Sequence, residues 1–199
     1  MIIEASLPLV VKATEWKLPS SRKVAVVCLV LTETCLFSIF VVAYLFYLGK
    51  SLSGPVPRDI LDPPVFYSIG LLLSSVTVYA GVRDLRQGRV TGFACWWTAT
   101  IALGGAFLYG TAREWRRLIY QRGLTISTNL FGTTYYALVG LHGVHVVFGL
   151  ISLLLVTVFA FGGAVQRHHA DRVDVLSLYW HFVDIVWVVV FTVVYVIGR

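Results

Sequence analysis

The sequence predicts an all-α fold, a polytopic membrane bundle of five transmembrane helices. Of its 199 residues, 58% are hydrophobic and only 13% are charged, whereas a soluble domain carries about a quarter charged residues. Five apolar runs are long enough to cross a bilayer, which takes about 20 residues as helix. The polar links between these runs are short, and none is long enough for a separate soluble domain.

The domain organisation expected is an N-terminal surface segment over residues 1–23 and a transmembrane domain over 24–199. The five helices are expected at about 24–48, 65–82, 92–111, 131–162 and 176–197. In the N-terminal segment the acids Glu4 and Glu15 and a brief apolar stretch do not fit a cleavable signal, which needs a basic start and a longer apolar core. An amphipathic lead-in at the membrane surface or against a partner is expected instead. The link 49–64 holds Gly54, Pro55, Pro57, Pro63 and Pro64, which break a helix. Residues 83–89 form a tight polar turn, 113–129 is the longest polar link, and 166–175 is rich in charge and histidine. The fourth run exceeds what a span requires, so it should tilt or project. Trp96, Trp97 and Trp115 lie near span ends, where amphipathic rings favour the interface.

The formal net charge of +6 resides in short loops, a pattern that suits lipid headgroups and topology rather than nucleic acid. The side shared by the N-terminus and the second and fourth links carries nine Lys and Arg, against seven on the other. This favours a cytoplasmic N-terminus. Cys28, Cys35 and Cys95 show no CxxC spacing and are expected as buried small apolar residues rather than a disulfide framework.

Ionisable side chains inside the apolar runs are the candidate functional residues, because such groups are costly in lipid. Glu33 must be neutral, paired or turned to a protein interior; a hydrogen-bonded acid and a proton relay are both open. His142 and His145 stand at i,i+3 on one face of the fourth run, beside Gly140, Gly143 and Gly149, which allow close approach of another backbone. His181 and Asp184 have the same spacing in the fifth run, where the acid can accept the histidine's proton or hydrogen bond. Haem or metal ligation by His142, His145 and His181 lacks a convincing donor set, so interhelical hydrogen bonds that lock the fourth and fifth helices together are expected. The sequence contains no nucleophile elbow, phosphate-binding glycine loop or zinc motif, and no inverted repeat of the transporter kind.

The motifs have a family likeness. Residues 179–187, YWHFVDIVW, resemble the terminal signature of subunit III of haem-copper oxidases. Residues 132–136, GTTYY, followed by 140–146, GLHGVHV, are similar to that family's histidine helix. Glu33 in 31–34, LTET, matches its intramembrane acid, and Glu114-Trp115 matches its glutamate-aromatic pair. The motifs are in family order, and the resemblance covers about residues 22–199.

The resemblance implies the five-helix form, with the N-terminus in the cytoplasm, the C-terminus outside and the chain in a bacterial inner membrane. It implies a non-redox subunit: no cofactor in this chain, haem and copper in partner subunits I and II, and bound phospholipid in a cleft. The activity implied is support of subunit I in oxygen reduction and proton pumping, with the isolated chain inactive. Carried onto this sequence, Glu33 would line the lipid cleft, while His142, His145, Glu114, Asp174, His181 and Asp184 would belong to a buried polar network. Asp174 stands where the family commonly has glutamate, and Phe66-Tyr67-Ser68 replaces its usual asparagine–threonine pair. Other readings are a subunit III-like component of a quinol oxidase or nitric oxide reductase, a haem-binding membrane cytochrome and a small transporter.

Overall fold

The computed structural model describes residues 21–51, 54–55 and 57–198. Residues 1–20, which make up most of the expected surface segment, lie outside the described residues. The chain runs α1 (Ser21–Tyr47), a short α2 (Pro57–Ile60), α3 (Val65–Arg86), α4 (Val90–Arg122), α5 (Leu130–Phe161) and α6 (Ala170–Phe191). A 3₁₀ turn, Arg167–His169, leads into α6, and a π-helical segment, Thr192–Ile197, continues it. Among the described residues, five helices are long and apolar enough to cross a membrane: α1, α3, α4, α5 and α6 with its flanking turns. A helix satisfies its own backbone groups, which lipid cannot do.

Local chemistry sets the ends. Gly88, with φ of 80°, turns the chain between α3 and α4, and Arg89 pairs with Asp84 across that turn. Gly123 ends α4 in the left-handed conformation, which a side chain disfavours. The Asn129 side chain caps α5 by accepting from the Gly132 N–H at 2.8 Å, and donates to the Pro55 carbonyl at 3.1 Å. The polar link expected over 113–129 is therefore helical as far as Arg122. Its charged residues fall mostly on exposed positions, so the helix continues past the apolar run.

α6 is the hub. It packs against α1, α3 and α5, while α3 pairs with α4 and α4 with α5. Trp180 is the central wedge: a Cβ on Gly104 of α4 or Gly149 of α5 would lie 3.0 or 2.8 Å from its ring. Gly149 thus admits an indole rather than a neighbouring backbone. Gly140 similarly faces the Trp115 ring, and nothing lies within 4 Å of a Cβ on Gly143. α1 is peripheral, with Phe37 and Tyr44 its only fully buried described residues.

Two expectations fail on burial. Cys28, Cys35 and Cys95 are all exposed on the outer surface of the chain; apolar surroundings in sequence do not distinguish core from lipid-facing positions. Trp97 is fully buried instead of interfacial, its ring against Gly81 and its N–H donating to the Val78 carbonyl at 3.3 Å.

Candidate functional site

The ionisable residues within the bundle do not converge on one site but meet different partners on different helices. Glu33 of α1 meets His145 of α5, with Oε2 and Nε2 3.0 Å apart. The other imidazole nitrogen, Nδ1, lies 2.8 Å from the Leu141 carbonyl. A carbonyl only accepts, so Nδ1 carries a proton. One proton then remains to be shared between Nε2 and the carboxylate. Whether it rests on the acid or the base, the pair has no net charge, which lowers its cost in a low-dielectric setting. Both side chains line a groove of about 530 Å³ between α1, α5 and α6, whose walls include Val26, Leu29, Phe148 and Arg172. The Tyr179 hydroxyl, also at the groove, donates to the His145 carbonyl at 3.4 Å.

His142, one turn before His145, makes no hydrogen bond to the described residues. Both ring nitrogens are buried without a partner among the described residues. Its ring stacks on Trp187 with centroids 4.9 Å apart, and Phe107 and Phe37 meet it edge-on. The interhelical hydrogen bond expected of His142 is replaced by aromatic packing.

His181 and Asp184 are bridged instead of bonded directly. Ser75 of α3 donates to Asp184 Oδ2, and its oxygen lies 3.0 Å from His181 Nδ1. A hydroxyl has one proton, so with that proton directed at Asp184 the imidazole must donate from Nδ1. Asp184 Oδ1 is buried without a partner among the described residues. These residues therefore join α6 to α3, and His145 joins α5 to α1. The expected lock between the fourth and fifth spans is made by Trp180 and the glycines.

Glu114 accepts from the Tyr195 hydroxyl at 3.1 and 3.2 Å and from the Tyr135 hydroxyl at 3.5 Å, tying α4 to the ends of α5 and α6. Asp174 stands apart from the buried clusters. It is partly exposed near the start of α6 and forms an ion pair with Arg86 at 2.8 Å. Its position in the first turns of the helix, before the apolar run, takes it out of the bundle interior.

Among the described residues no three His, Cys, Asp or Glu side chains converge as a metal site would require. The histidines proposed for haem have separate employment: His145 on Glu33 and Leu141, His142 among aromatic rings, and His181 on Ser75.

The described geometry is that of a helical subunit with buried polar joints, and comparison with known proteins agrees with it. Residues 17–199 match the family of cytochrome c oxidase subunit III. The chain belongs to that family. It is 34% identical to cytochrome c oxidase subunit 3 of Alkalihalophilus pseudofirmus, over 83% of this chain and 82% of the relative. It is 36% identical to the subunit 3 of Synechocystis, over 90% and 77% of the two chains. It is also 32% identical to cytochrome bo(3) ubiquinol oxidase subunit 3 of Pseudomonas aeruginosa, over 84% and 81%. The protein is thus a multi-pass subunit III of a haem-copper oxidase, of the cytochrome c or quinol kind.

Within this subunit III, sequence reasoning found the acids and histidines but not their partners. Ser75, Tyr135 and Tyr195 complete the clusters, while Ser74 and Ser68 accept from the N–H groups of Trp180 and Trp187 at 2.9 and 3.0 Å. The available signal was a set of hydroxyls within otherwise apolar runs. Ser68, part of a departure from the family pattern, has a defined use as the acceptor for Trp187.

Proposed function

We propose that this chain holds phospholipid in the groove beside the Glu33–His145 pair and thereby supports subunit I during oxygen reduction and proton pumping. Haem and copper reside in partner subunits I and II, and the chain alone is inactive. It lies in a bacterial inner membrane with its N-terminus cytoplasmic. The observation that carries this reading is the groove itself. Apolar side chains from three helices form its walls, a neutralised acid–base pair faces into it, and Arg172 adds a cation suited to a phosphate headgroup. Such a groove would accommodate acyl chains while tolerating the polar pair.

The test is Glu33→Ala in the purified complex. Haem content should match wild type, while the number of turnovers before inactivation falls. Immediate loss of haem would contradict the reading, because Glu33 would then be needed for assembly.

A quinol-oxidising complex is the second reading, favoured by the Pseudomonas relative, whose name specifies a ubiquinol oxidase. Oxidation of reduced cytochrome c by the purified complex would make cytochrome c the electron donor, and oxidation of quinol alone supports the second reading.

A further inference from the structure

A second and larger concavity, of about 1130 Å³, lies at the other side of the bundle, where α3 begins and α4 ends. Pro63, Pro64 and Tyr67 form one wall, and the last turns of α4 form the other. It is separate from the groove at Glu33, which α1, α5 and α6 enclose.

The charges around it are not balanced. Arg117 is ion-paired with Asp62, and Glu114 accepts from Tyr195 and Tyr135. Arg113 and Arg116 also line the cleft, are exposed, and have no ion pair or hydrogen bond among the described residues. Their i,i+3 spacing puts both guanidinium groups on one helical face.

Their depth selects the ligand. Arg113 follows directly on the apolar run that ends near Thr111, which puts these side chains at the membrane boundary, where arginines extend toward headgroups. On the same face of α4, at spacings of four, three and four residues, come Tyr109, Ala106 and Ala102, all exposed. Beside the cleft, these three residues form an exposed apolar strip of α4 below the two cations. A soluble anion would use only the upper half of this surface. A molecule with an oxyanion above and hydrocarbon below would use all of it.

We propose that this cleft binds an anionic phospholipid, its phosphodiester held by Arg113 and Arg116 and an acyl chain lying along Tyr109, Ala106 and Ala102. Guanidinium groups present paired donors that match phosphate oxygens. The inference rests on the membrane-spanning fold and does not depend on the lipid groove at Glu33.

The test uses the full chain, with whatever subunits accompany it, in native membranes. A phosphatidylglycerol carrying a photoreactive diazirine in its acyl chain is added and activated, and adducts are mapped by peptide mass spectrometry. Labelling of residues 102–113 is expected in the wild type. It should fall roughly tenfold in Arg113→Gln/Arg116→Gln, because basic residues near the surface contribute most of the attraction to anionic lipid. It should largely return in Arg113→Lys/Arg116→Lys, which separates loss of charge from misfolding. Equal labelling in the glutamine variant would overturn the proposal. So would equal labelling by a phosphatidylcholine probe, or displacement by inorganic phosphate, which would identify a soluble-anion site. Haem recovered with the chain in the same preparation reports on the oxidase assignment separately.

Discussion

Trp180 and His145 each carry a polar nitrogen into the membrane on neighbouring helices, but the two regions accommodate it differently. Around Trp180 the interior is closed. Glycines of α4 and α5 receive the ring, and the single N–H is satisfied by Ser74 at 2.9 Å. Around His145 the structure is open. The imidazole and Glu33 satisfy one another at 3.0 Å and face a groove, and Glu33 sits on α1, a helix with few buried residues. The closed joint gains van der Waals contact over a large ring, which helix association in lipid depends on. The open joint has one ring contact, Phe37 on His145 with centroids 5.0 Å apart, and leaves room for a ligand. The difference separates residues that hold the bundle together from residues that border an open groove.

The largest expected effect breaks the closed joint. Trp180→Ala should destabilise the folded chain by about 3–5 kcal/mol, the range for removing a buried aromatic side chain; reversible unfolding in detergent measures it. A loss similar to that of Glu33→Gln would mean that the two joints do not differ in what they contribute to stability. Ser75→Ala comes next, at about 1–3 kcal/mol, because it leaves both oxygens of a buried carboxyl group unpartnered. The same measurement should show partial recovery when Asp184→Asn is added. The smallest effect belongs to the open joint. Glu33→Gln keeps a group able to hydrogen-bond His145 and should cost roughly 0.6 kcal/mol, near the average for interhelical bonds in membrane proteins. Its consequence should be read in turnover lifetime rather than in unfolding.

The contrast also shows which features were legible beforehand. Glu33, His142, His145, His181 and Asp184 stand out in apolar runs because ionisable groups are rare there. Their pairing was not legible. Spacing of i,i+3 shows only that two residues share a helix face. His145 and His142 share one, but His145 reaches Glu33, 112 positions away, while His142 is packed among Phe37, Phe107 and Trp187. Ser75 was hidden for a related reason: a serine can bond to its own helix, and Ser38 does so, so its sequence position gives no sign of a long-range role. The exposed cysteines show the same ambiguity in apolar residues, since lipid and protein interior select similar side chains.

Five helical membrane spans follow from the composition and run length of the sequence by itself, because bilayer thickness imposes a length and an apolar composition on each span. Its motifs, in order, pointed to the oxidase subunit III family. Tertiary structure alone decided which helices meet. It placed the Glu33–His145 pair beside an open groove, bridged His181 and Asp184 through Ser75, closed the interior around Trp180, and left Arg113 and Arg116 facing a separate cleft. The physical reason is that helix formation and membrane insertion depend on local composition, whereas satisfying a buried polar group depends on partners that only folding brings within hydrogen-bonding distance.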